Sequence, residues 1–213
     1  EQVAWYNEQS ALLHTENDNQ ALPSLAFFHI PLPEVYDMLT EVEKGTPNSF
    51  EGVGTGAGKY YLPDSDMIFT GDVNEPPCPS SSNNGLFDAF LNNGDVFLAV
   101  NGHDHTNSYI GSLHGIDLAN APGSSYTRYG SEDTRVSFDF IEFSPTWHPT
   151  NADQYYFVLA GSGHWTLYYR MVGADQKEVK TFDKSSFFGR LGEVDQPVVS
   201  PDAQYIAYVQ VSG

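Results

Sequence analysis

One cysteine among 213 residues, Cys78, leaves no internal disulfide framework. It is either a free thiol or the partner of a cysteine elsewhere, and both readings stand. Basic residues are as scarce: nine Lys and Arg face 28 Asp and Glu, for a formal charge of −19. That balance argues against nucleic acid and against anionic membrane surfaces, since both demand clustered cations. It also repels phosphate-bearing ligands at long range, so a phosphate site here needs metal ions to supply local positive charge. No apolar run approaches the ~18 residues of a membrane-spanning helix. The first residues lack the basic, apolar and small-residue regions of a signal peptide. The composition is that of a globular protein, 40% hydrophobic and 14% aromatic. Its acidic, solvated surface favours an extracellular or secretory setting.

The most informative stretch runs from Asn84 to Tyr109, NGLFDAFLNNGDVFLAVNGHDHTNSY. It reads as a short helix over 85–92, an Asn93-Gly94 turn, a strand over 95–100 and a polar loop. Val96 to Val100 is continuously apolar, as in a strand covered on both faces. Its C-terminal end, where open α/β sheets place their chemistry, carries Gly102-His103-Asp104-His105. Two imidazoles flanking a carboxylate behind a glycine that allows a sharp turn form a candidate metal-binding loop, or a chance pair of surface histidines. A second apolar stretch, Leu25 to Phe28, also ends in histidine, His29, with Pro31 and Pro33 barring a helix directly after it. Alone, His29 reads as a core histidine. Two strands of the same kind, each ending in His, point to imidazoles converging at one sheet edge.

Elsewhere in this region, residues 1–15 are expected to form an amphipathic helix with Val3, Tyr6, Leu12, Leu13 and also Trp5 on its buried side. Residues 33–43 are expected to form a short helix with Val35, Met38 and Leu39 inward. Residues 45–58, with five glycines, and 61–84, rich in Pro, Ser and Asn, are expected to be loops. GVGTGAGK is not a phosphate-cradling loop, because Tyr60 follows Lys59 where Ser or Thr is needed and no strand precedes it. Residues 109–118 read as strand, turn, strand, with His114 at the turn in a surface or supporting role. Residues 135–142 alternate as a final strand.

Three segments in order, AFFHIPLPE, GDVNEPPCPSSSNNGLFDAF and VNGHDHTNSY, resemble the C-terminal half of the calcineurin-like metallophosphoesterases. Within that family they look like the purple-acid-phosphatase-like proteins of fungi and plants. The resemblance covers residues 2–143. It implies an α/β fold, the C-terminal half of a β-sandwich flanked by helices, and hydrolysis of phosphate esters. It also implies two metal ions, Fe, Mn or Zn, with His29 and His103 on one ion and His105 on the other. Asp104 and Asn107 would support those ligands from behind. The family draws its remaining ligands from an Asp-x-His, a Gly-Asp and a Gly-Asn-His motif in its N-terminal half, and none precedes His29 here. Gly71-Asp72 lies in a loop position and does not replace them. The segment 119–126, ANAPGSSY, departs from the Cys-Tyr-Gly-Gly-rich stretch of the family. The expectation is therefore half a site, on a piece of a longer polypeptide. A non-catalytic scaffold retaining the fold is the alternative.

Residues 144–213 change character. Pro145 followed by Gln154-Tyr155-Tyr156-Phe157-Val158 is echoed by Pro197 followed by Gln204-Tyr205-Ile206-Ala207-Tyr208. A repeat of about 50 residues suits β-propeller blades, and SPDAQYIAYV resembles the TolB and prolyl-oligopeptidase propellers. The expected organisation is a phosphoesterase part over 1–143 and an incomplete all-β, propeller-like part over 144–213.

Overall fold

The computed structural model describes residues 1–123, 129, 154–161, 164–171, 175–183, 198–199 and 206–207, in two units, Glu1–Gly123 and Ser124–Gly213. The first unit opens with helix α1 (Gln2–Glu16) and strand β1 (Ser24–Phe28). A 3-10 turn (Pro33–Met38) leads into β2 (Leu39–Val42), followed by β3 (Phe50–Glu51), β4 (Tyr60–Pro63) and β5 (Ile68–Asp72). Helix α2 (Leu86–Asn93) precedes β6 (Val96–Asn101), β7 (Ser108–Leu113) and β8 (Ile116–Asn120).

Five of these strands form one sheet in the order β1-β6-β8-β7-β5. β1, β6 and β8 are mutually parallel, whereas β7 and β5 add antiparallel. The apolar sequence of β6 fits its place between two parallel neighbours, and Leu98 and Ala99 are buried there. β7 and β8 join through His114 and Gly115, both left-handed (φ 51° and 84°), the geometry a two-residue hairpin requires. β2, β4 and β3 make a smaller antiparallel sheet. Met38, Phe87, Leu98 and Ile110 are among the most deeply buried side chains of the unit.

Several expectations need correction. Residues 39–42 are strand, not helix, because Leu39 to Val42 pair with Pro63 to Tyr60. Their neighbours nevertheless point inward as expected, with Val35, Met38 and Leu39 buried. The 61–84 stretch is no continuous loop, since most of β4 and all of β5 fall within it. β5 is recruited by close backbone approach: a Cβ on Gly71 (φ 83°) would lie 1.9 Å from the Ser108 carbonyl oxygen. Within 45–58, Gly52, Gly54 and Gly56 likewise serve packing, whereas Gly45 and Gly58 sit at positive φ in open space. Gly56 lies under the Tyr36 ring, where a Cβ would meet ring carbons at 2.4 Å. On α1 the inward stripe is Val3, Tyr6 and Ser10, and Trp5, Leu12 and Leu13 are exposed. The apolar residues of that helix are spread around its circumference instead of sharing one face.

In the second unit, β9 (Gln154–Gly161), β10 (His164–Met171) and β11 (Lys177–Asp183) form an antiparallel meander. β12 (Val198–Val199) pairs with β13 (Ile206–Ala207). Leu167 is buried within the meander, and the Thr166 and Thr181 hydroxyls lie 3.1 Å apart across it. The strands expected near 154–158, 164–172 and 178–182 are present. The described residues of this unit compose no closed ring of blades, and the described residues as a whole form a mixed α/β arrangement of sheets with few helices. The expected strand at 135–142 and the boundary at 143/144 lie outside the described residues. No described helix is long and apolar enough to cross a membrane, which leaves β-barrels unaddressed.

Candidate metal-binding loop

The parallel pairing of β1 with β6 brings two chain exits side by side. Phe28 pairs with Asn101, so His29 leaves β1 beside Gly102, whose N–H donates to the His29 carbonyl at 3.2 Å. The His29 and His103 rings then meet edge to face, with centroids 5.1 Å apart at 74°. The sharp turn expected at Gly102 falls instead on His103, whose φ of 74° is left-handed. A non-glycine residue held there carries strain that the surrounding bonds must offset.

Those bonds are numerous. Asp104, 2% exposed, turns its carboxylate away from solvent to accept the Cys78 N–H at 3.1 and 3.3 Å. Burial pushes its pKa up to about 6, opposed by the Cys78 N–H and reinforced by nearby Glu75. Asn107, wholly buried, accepts the N–H groups of Asn74 and Glu75 and donates to the Glu75 carbonyl. The Glu75 carboxylate in turn accepts the Thr106 N–H at 2.7 Å. The segment 74–78 is thus stapled along 104–107. Tyr36 fixes its far end by donating to the Pro77 carbonyl at 2.6 Å.

Sequence reasoning named His29, His103, His105, Asp104 and Asn107. The structure brings the first two into ring contact, and Asp104 and Asn107 bind the 74–78 segment. His105 sits at the following turn, its carbonyl accepting the Gly123 N–H at 3.1 Å. Glu75, Asn101 and Asn120 went unnoticed. The available signal was asparagine at the ends of otherwise apolar strands, where it is depleted. Gly71-Asp72 belongs to β5 and takes no part in this cluster.

Two facing imidazoles suit one Fe, Mn or Zn ion as part of its ligand set. Among the described residues, however, no group of three or more His, Cys, Asp or Glu is gathered closely enough to hold an ion. The donor set therefore fits a metal as a partial set.

Comparison with known proteins supports a metallophosphoesterase-like relationship, through purple-acid-phosphatase-like relatives. Three curated proteins of Arabidopsis thaliana, each described as a "Probable inactive purple acid phosphatase" and numbered 14, 28 and 29, are 29%, 29% and 30% identical to this chain. The matches run over 135, 129 and 135 residues and cover 61% of this chain in each case. They cover 27%, 26% and 28% of the relatives, so the chain matches about a quarter of their length. No family model matches the sequence, and no solved structure does.

Proposed function

We propose that this chain supplies the histidine-bearing part of a metal-dependent phosphoester hydrolase. The observation that carries the reading is the edge-to-face meeting of His29 and His103 at the C-terminal ends of adjacent parallel strands. In this reading His29 and His103 hold one ion and His105 a second. A two-ion site needs ligands beyond these three histidines, and among the described residues no larger group is gathered. Bound metal would supply an activated water and neutralise the phosphoryl oxygens of a phosphate ester. The chain's own work is positioning: Asp104 and Asn107 keep the loop folded against 74–78, and the left-handed His103 turns its ring toward His29. The domain assignment that goes with this is a phosphoesterase part over 1–143 and an incomplete, propeller-like part over 144–213.

The relatives' names favour a second reading, a non-catalytic protein retaining the fold. Hydrolysis of p-nitrophenyl phosphate and bis(p-nitrophenyl) phosphate by the natural full-length protein, supplied with Fe, Mn or Zn, separates the two. Turnover that His103→Ala abolishes supports the hydrolase. Metal binding without turnover of either ester supports the scaffold.

A further inference from the structure

The ends of β6 and β8 carry a pair of asparagines whose placement goes beyond strand pairing. Asn101 and Asn120 face each other in parallel register. Asn120 is 1% exposed, and both protons of its Nδ2 are used: one goes to the Asp104 carbonyl at 3.0 Å, the other to the Asn107 carbonyl at 2.7 Å. Its Oδ1 accepts from Asn101 Nδ2 at 2.7 Å, and Asn101 Nδ2 also donates to the Gly102 carbonyl at 3.0 Å. The amide orientation is settled by this pattern. Reversing Asn120 would set its oxygen against two carbonyl oxygens and leave its nitrogen facing another donor. Two backbone bonds continue the same strap, from Ala121 N–H to the Asn101 carbonyl and from Gly123 N–H to the His105 carbonyl. Carbonyls at 101, 102, 104, 105 and 107 are thus all collected by the Asn101–Asn120 pair and the residues just after β8.

This matters because His103 lies between Gly102 and Asp104 in a left-handed conformation that its side chain disfavours. A loop gripped at Gly102 and again at Asp104 cannot relax His103 to negative φ without breaking buried hydrogen bonds, and each orphaned group would carry its own desolvation cost. Asp104 and Asn107 hold the loop from the 74–78 side, and Asn120 holds it from the sheet side.

We infer that Asn120 is a positioning residue for the histidine loop: its amide holds the Asp104 and Asn107 carbonyls, and Asn101, which it anchors, holds the Gly102 carbonyl, so that the backbone is gripped on both sides of His103 and its ring faces His29. Its consequence for metal affinity rests on the proposed function, whereas its effect on loop geometry does not.

The test compares the natural full-length protein with its Asn120→Ala and Asn101→Ala variants. Three quantities are read: amide hydrogen exchange over residues 102–107, the nuclear Overhauser contact between the His29 and His103 rings, and Zn(II) affinity by calorimetry. For Asn120→Ala the expected result is loss of the ring contact and at least tenfold faster exchange at 102–107, with Leu98 and Val100 still protected. Zn(II) binding should weaken roughly 10- to 100-fold, the range seen when groups that orient metal ligands are removed. Asn101→Ala, which spares both carbonyl contacts of Asn120, should show the same changes in smaller degree. An unchanged ring contact with unchanged exchange at 102–107 overturns the inference. So does loss of protection throughout β6, which would make Asn120 a general determinant of folding and not a local one. If the unsubstituted full-length protein binds no Zn(II), the metal reading fails, and the exchange and ring-contact results still decide the role of Asn120.

Discussion

At the scale of single residues, Asp104 shows how a side chain flanked by two candidate ligands can serve the loop instead of the ion. Its carboxylate is spent on the Cys78 N–H, and burial raises its pKa because the charged form is poorly solvated there. Replacement by Asn keeps an acceptor for that N–H and removes the charge, whereas replacement by Ala leaves a partly buried donor unpaired. Asp104→Ala is therefore expected to cost about 1–3 kcal/mol and Asp104→Asn appreciably less, measured by urea unfolding of the metal-free chain. Equal losses in the two variants would mean that the charge itself, not the hydrogen bond, is what the loop needs. Residue identity made the histidines legible from sequence, since imidazoles at the ends of two apolar runs stand out. The braces were less legible, because Asn120 is separated from the loop by an entire hairpin and its role depends on β6–β8 register. The conformational load was also misplaced by one residue, from Gly102 to His103. Glycine is the usual bearer of positive φ, but here the surrounding carbonyl grip decides.

At the scale of elements, periodicity located the buried strands well and the short ones poorly. β6 and α2 were readable because an unbroken apolar run and a helix bounded by Gly85 and Gly94 carry strong local signals. β2 and β5 owe their existence to partners, β4 for the one and the Ser108–Gly111 stretch for the other, and such pairing leaves little trace in a short window. Helix α1 is the clearest case of tertiary contacts outweighing pattern. Tyr6 docks it, through a ring that meets Phe90 edge to face at 5.1 Å and a hydroxyl that donates to the buried Asp95 carboxylate. Asn7 and Asn93 add a hydrogen bond of 2.8 Å between the two helices. Tyr6→Phe keeps the ring contact and deletes the donor, so a loss of about 1–3 kcal/mol is expected. Hydrogen exchange should accelerate in α1 before the sheet responds. Uniform acceleration across both would show that α1 does not open as a separate element.

At the scale of the whole molecule, the excess of acid over base leaves alkaline pH as the revealing perturbation, because buried tyrosines resist ionisation in the fold. Burial raises the pKa of Tyr36 to about 12, and burial likewise lifts those of Tyr6, Tyr61 and Tyr109 above the usual tyrosine value. A tyrosine near pKa 10 when unfolded and higher when folded contributes stability that is fully present below pH 10 and lost as pH rises beyond it. For Tyr36 alone, two pH units correspond to roughly 3 kcal/mol. Unfolding of the first unit is therefore expected between pH 10 and 12, accompanied by a cooperative rise in tyrosinate absorbance. Independent, gradual tyrosine titration with the fold intact would contradict the burial described.

The same acidic surface gives the central claim its most direct test. These 213 residues, with nine Lys and Arg, have little means of their own to bind phosphate esters except through metal, and in the proposed function the histidine loop is where that metal would sit. The measurement is metal content of the natural full-length protein by elemental mass spectrometry, beside its His29→Ala, His103→Ala double variant. The account expects about two ions of Fe, Mn or Zn per chain, and loss of at least one of them in the variant with the fold retained. A folded natural protein free of metal, or one whose metal content is unchanged by the double substitution, would contradict it.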